Sequence, residues 1–192
     1  MWRKGIVVAV LLGLLSVLVT QPAQAQNPTW LAQYYNNATL SGDPAVTRSD
    51  ANIAFNWGIA APVNGVNADN FSVRWSTDVF LNAGNYRFYA LGDDKIRVTF
   101  NFGAPLIDTF DNPAIGQTVT ADLNVPISGT YHIQVDYQEI SDNAYAFVAF
   151  ANLATNPTGP NFAAPVNLPV TGGPWTAQYY SNNNLSGDPV AI

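Results

Sequence analysis

Residues 131–137 read Tyr-His-Ile-Gln-Val-Asp-Tyr. In an extended chain Tyr131, Ile133, Val135 and Tyr137 fall on one side, and His132, Gln134 and Asp136 on the other. Side chains alternate across a strand with a period of two, so this segment buries one face as a strand and cannot do so as a helix. The same alternation recurs along the chain. Ile53, Phe55 and Trp57 share a face, as do Phe71, Val73 and Trp75, and Ile96, Val98, Phe100 and Phe102. Segments 86–91, 118–125 and 145–149 complete the series. Gly, Asn and Pro separate these stretches, and none of them has the 3.6-residue period of an amphipathic helix. Many short alternating strands joined by turns predict an all-β, antiparallel sandwich or barrel. On this periodicity Trp30, Tyr34, Tyr35, Trp57 and Trp75 read as core.

The chain also repeats itself. Residues 30–46 read WLAQYYNNATLSGDPAV and residues 175–191 read WTAQYYSNNNLSGDPVA, a match at an offset too long for a solenoid unit and suited to a whole domain plus a linker. The expected organisation is a signal peptide at 1–25, one complete module at 28–153, a linker at 154–174 and the start of a second module at 175–192. Arg3 and Lys4, the apolar run from Ile6 to Val19 and the Ala23-Gln24-Ala25 tripeptide carry the secretory reading. That run is shorter than the ~20 apolar residues of a membrane span. Five Pro and three Gly between 154 and 174 describe a semi-extended linker, able to reach up to roughly 65 Å.

Removing residues 1–25 leaves five basic against thirteen acidic residues, a net charge of −8 (5 − 13). Such a surface disfavours nucleic acid, whose phosphates need Lys and Arg. There is no cysteine, so the fold relies on its aromatic-rich core rather than on disulfides.

Taken in order, AQYYNNATLSGDP, SDANIAFNWG, DNFSVRWS, AGNYRFYALGDDKIRV, LIDTF and GTYHIQVDYQE resemble the protective-antigen-type ("PA fourteen") domain through most of residues 32–150. The resemblance implies a β-sandwich and, as in the family's lectin members, calcium-dependent binding of glycans. In those members two consecutive Asp on one loop ligate calcium, with a cis peptide between them, and a second loop adds an amide side chain and carbonyls. The matching residues are Asp93 and Asp94, with Glu139, Asp142 and Asn143 on the second loop. Two departures from the family stand out: Lys95 follows the Asp pair, and Glu139 stands where the adhesin lectins have Asn. From the residues alone, Gly92-Asp93-Asp94-Lys95 reads first as turn chemistry. A hard-cation site is the second reading, since calcium takes six to eight oxygens that such loops supply through bulk-facing groups. Ligand binding is expected at Asp93, Asp94 and Asn143, where vicinal sugar hydroxyls would fill open calcium positions.

No catalytic residue is expected. His132 lacks a partner nucleophile, and no motif singles out a carboxylate pair for glycoside hydrolysis. Asp43, Asp69 and Asp108 read as turn residues. The combined expectation is a secreted or surface-displayed module that binds extracellular glycans, with calcium as its cofactor and other surface proteins as further partners. A spacer module, or an accessory domain of an extracellular enzyme, is the alternative.

Overall fold

The computed structural model describes residues 29–159, and the signal-peptide reading, most of the linker and the second repeat lie outside them. Ten strands form two antiparallel sheets: β1 (Trp30–Tyr35), β2 (Val46–Asp50), β3 (Ile53–Gly58), β4 (Phe71–Leu81), β5 (Gly84–Asp93), β6 (Lys95–Phe100), β7 (Pro105–Asp108), β8 (Val119–Val125), β9 (Gly129–Glu139) and β10 (Ala144–Asn152). The larger sheet runs β2-β1-β4-β9-β6-β7 and the smaller β3-β10-β5-β8. The described residues contain no helix, and so none long and apolar enough to cross a membrane.

The alternation read from the sequence sets which side chains meet between the sheets. Trp75, Tyr34, Tyr137, Phe71, Phe88, Ile133, Val73 and Val98 are fully buried. Phe55, Trp57 and Trp75 stack nearly parallel, at centroid distances of 5.1 Å (Phe55–Trp57), 5.9 Å (Phe55–Trp75) and 6.5 Å (Trp57–Trp75). Tyr137 leans on this column, 5.6 Å from Trp57 and 5.9 Å from Phe71. Each such aromatic contact adds about 0.5–1.5 kcal/mol beyond the area it buries.

A polar network is built into this core. Asp50, at the end of β2, accepts from the Tyr34 hydroxyl at 2.8 Å and from the Trp75 indole N–H at 2.9 Å, both on Oδ2. Arg48 Nε donates to Oδ1 at 2.7 Å, and an Arg48 guanidinium N–H donates to the Tyr34 hydroxyl at 2.6 Å. Burial, followed by the bond to Asp50, pushes the Tyr34 phenol well above its ordinary value. With both oxygens satisfied, a carboxylate is tolerated at this depth.

Phe102 departs from the expected pattern. It does not share the face of Ile96, Val98 and Phe100, because the chain turns at Asn101 and Phe102, with φ of 47° and 59°. Gly103 N–H closes the turn on the Phe100 carbonyl at 3.0 Å. Positive φ at both central residues is what a two-residue hairpin with the sheet's twist requires. Phe102 therefore stands 78% exposed.

Candidate cation and ligand site

Four connections cross from one sheet to the other at the same end of the sandwich. Residues 59–70 join β3 to β4, Asp94 alone separates β5 from β6, residues 109–118 join β7 to β8, and residues 140–143 join β9 to β10. The pairing of Phe71 with Glu139 and of Tyr145 with Asp93 holds the first, second and last of these side by side. The Leu-Ser-Gly-Asp-Pro loop between β1 and β2 is tied in as well: Asn36 accepts from Asn67 N–H at 2.8 Å and donates to the Gly65 carbonyl at 3.1 Å.

These connections gather carboxylates. Asp94 Oδ2 accepts from Ile140 N–H at 2.7 Å, and Asp69 Oδ1 accepts from Asp142 N–H at 3.1 Å. The Asp93–Asp94 peptide is cis. Tyr137, rooted in the aromatic column, places its hydroxyl against the Asp93 carbonyl and 2.8 Å from Glu139 Oε2. Glu139 is fully buried, and its other oxygen, Oε1, has no hydrogen-bond partner. Among the described residues, none of Asp69, Asp93, Asp94, Glu139 and Asp142 forms an ion pair.

The electrostatics follow from that crowding. Burial, then the charges of Asp94 and Asp142, push Asp93 up to about 6. Burial pushes Glu139 up to about 8; the Tyr137 hydrogen bond opposes this, while Asp94, Asp93 and Asp69 add to it. Burial and the neighbouring Glu139 push the Tyr137 phenol far up too. Desolvation and like charges both disfavour ionisation, and a cation is the natural relief for such a group.

The structure thus brings Asp93, Asp94, Glu139 and Asp142 to one end, and Asn143 follows on the same loop, half-buried. Glu139 is not one of the bulk-facing oxygens expected from the sequence; it faces inward with Tyr137 on β9. Asp69 is an addition, since as a turn residue it carried no distinguishing signal; it reaches the cluster because β4 pairs with β9. Lys95 lies on the outer side of β6, because Ile96 and Val98 occupy the inward positions. No group of three or more His, Asp or Glu side chains among the described residues is set to hold a metal ion by itself. A cation here would share one or two carboxylates with loop carbonyl and amide oxygens.

His132 does not pair with Asp136, which Arg74 holds in a two-bond ion pair at 2.7 and 3.0 Å. Its Nδ1 lies 2.8 Å from Asp78 Oδ1 on the neighbouring strand.

A two-sheet antiparallel sandwich with an acidic loop cluster at one end defines a β-sandwich module. The chain belongs to the PA14 domain family, whose pattern it matches over residues 26–148. It is 30% identical over 108 residues to the anti-sigma-I factor RsgI3 of Acetivibrio thermocellus, a match covering 56% of this chain and 16% of that protein. Among solved structures it resembles an anti-sigma factor domain-containing protein, with TM-score 0.57, 27% identity and coverage of 63% of this chain and 42% of the other. It also resembles the PA14 sugar-binding domain of an RTX adhesin, with TM-score 0.51, 14% identity and coverage of 68% and 92%. At that identity the second likeness shows the fold alone. The chain spans only a sixth of the curated relative's length and under half of the first structure's.

Proposed function

We propose that the chain is an extracytoplasmic binding module that recognises glycans through its acidic end, with calcium held there by Asp93, Asp94 and the 139–143 loop. The observation that carries this reading is the buried, unpartnered Glu139 Oε1 beside Asp69, Asp93 and Asp94, none of which has a basic partner among the described residues. That donor set is all oxygen, as calcium prefers. When bound, calcium supplies a Lewis-acidic centre for vicinal hydroxyls. The chain's own contribution is to present Asp93 and Asp94 at a corner between sheets. Ile140 N–H steadies one Asp94 oxygen and leaves the other free. Exposed Ile59, Ile115 and Ile140 sit on three of the loops at this end and offer apolar contact to a sugar ring's hydrocarbon face. The adhesin neighbour's description as a sugar-binding domain supports the reading.

The match to an anti-sigma-I factor favours a second setting for the same module, as the ligand-reading part of a regulatory protein. Glycan recognition is common to both settings. Co-purification with a sigma factor would distinguish the regulatory one.

The test is thermal melting in calcium and in EGTA, for the native chain and for Asp93→Ala, followed by a glycan array. At about tenfold its dissociation constant, calcium adds about 1.4 kcal/mol to the fold, which raises the melting temperature by about 5 °C in a domain of this size. Asp93→Ala should lose that shift. A melt and an array that are both indifferent to calcium would sink the proposal.

A further inference from the structure

A second feature lies on the outer face of the six-stranded sheet, away from the acidic end. His132 is seven residues before Glu139 on β9, about 23 Å along the strand. The exposed ring of Phe102 stacks on the His132 imidazole, with centroids 4.4 Å apart and planes 7° from parallel. One ring face is therefore covered by the imidazole, and the 78% exposure of Phe102 leaves the other to solvent. Bulky residues seldom occupy positive φ, yet this turn places a phenylalanine there and holds it up beside the sheet.

The same imidazole walls a cleft of about 430 Å³ that runs from β4 across β1 to β2. Leu31, Ser49, Ser76 and Asp78 line it with His132. Its size falls within the ~300–1,000 Å³ of ligand-binding clefts. Ser49 pairs with Leu31, and Leu31 with Ser76, so these side chains form one cross-strand row. Neither serine hydroxyl has a partner among the described residues. His132 Nδ1 lies 2.8 Å from Asp78 Oδ1, and His132 Nε2 has no hydrogen-bond partner among the described residues. No hydroxyl bonds Nε2, so serine, histidine and aspartate here do not form a nucleophile–base relay.

The lining contains no Lys or Arg, and the chain as a whole is acidic, which disfavours an anionic ligand. What remains is a flat aromatic face beside a shallow trough of hydroxyl, carboxylate and imidazole groups. That combination suits a ligand with an apolar C–H face and a rim of hydroxyls.

We propose that Phe102, His132 and Asp78, with the Leu31–Ser76 trough, form a second binding site for an uncharged saccharide, independent of calcium. A pyranose ring would lie on the open face of Phe102, and the neighbouring ring of the chain would meet Ser76, Asp78 and His132 Nε2. The site stands apart from the acidic cluster and does not rest on the cluster's occupancy.

The experiment is affinity electrophoresis of the purified chain in gels containing soluble xylan, mixed-linkage glucan or galactomannan, with dextran sulfate as the anionic control, all in EGTA. The native chain should be retarded by at least one neutral polysaccharide and not by dextran sulfate. Phe102→Ala should weaken that retardation about tenfold, the scale of one lost aromatic contact. Phe102→Tyr should keep it, and so should Asp93→Ala. Free passage through every neutral gel would overturn the proposal. So would equal retardation of native chain and Phe102→Ala, or loss of retardation in Asp93→Ala, which would assign the binding to the acidic end. A calcium-dependent melt with no retardation in EGTA would leave the acidic site standing and remove this one.

Discussion

Replacing Glu139 by Gln isolates the cost of the buried acid. Folding raises the Glu139 pKa from 4.5 to about 8. Between those values the folded state keeps a proton that the unfolded state has lost, so stability falls as pH rises. The slope is about −1.36 kcal/mol per pH unit. The stabilising contribution is complete below pH 4.5 and is lost progressively toward pH 8. At about pH 7.5 this amounts to about 4 kcal/mol at most, and to about 2 where water reaches the loop end and screens the charges. Gln has the same shape and does not titrate. In EGTA the two proteins should melt together near pH 4.5, the ordinary value for Glu. Near pH 7.5, Glu139→Gln should be the more stable by about 2–4 kcal/mol, or roughly 10 °C. Asp93 is also raised, but by burial, Asp94 and Asp142, so its effect is shared by both proteins and cancels. Calcium should narrow the gap, because a bound cation favours the ionised Glu139. The assay is differential scanning calorimetry across pH with and without calcium. An amide variant no more stable than the native chain near pH 7.5 in EGTA would refute the reasoning, as would a gap that does not change with pH.

Two further substitutions separate buried from exposed charge. Asp50→Ala leaves Arg48, the Tyr34 hydroxyl and the Trp75 indole without their common acceptor. It should cost about 3–5 kcal/mol in urea unfolding, and a loss under about 1 kcal/mol would mean that the network is not cooperative. Arg87→Ala breaks an ion pair with Asp122 whose two side chains are 38% and 56% exposed. Its melting temperature should match the native chain within error, since open-surface pairs are screened and entropically costly.

The strand faces were legible because burial follows a period of two: Tyr131, Ile133, Val135 and Tyr137 turn inward as the alternation requires. Phe102 misled for a local reason. The alternation continues through it, but Asn101 and Gly103 on either side signal a turn, and turn chemistry overrides periodicity. Asp93 and Asp94 were locatable from the family resemblance. Asp69 was not, because a turn aspartate looks the same whether or not a distant strand places it beside other acids. Glu139 read as a loop oxygen because it ends a strand. Its inward direction follows the same alternation, two residues beyond Tyr137, once β9 runs through Glu139, as its pairing with Phe71 secures. Asp50 was hidden because its donors come from three strands.

The β4–β9 pairing has a consequence for the order of assembly. These neighbours in the sheet are separated by 48 residues at Leu81–Gly129 and by 68 at Phe71–Glu139, by subtraction of the paired numbers. Closing so long a loop is slow, and contacts of this kind place a fold among the slow folders. Asp69 precedes β4, Asp93 and Asp94 lie within the loop, and Glu139 is the last residue of β9. During synthesis the acidic cluster therefore does not exist until the final central strand has been made and zipped into place. A cation captured there would contribute nothing to early collapse. It would act as a latch, slowing the escape of a domain that had already finished folding.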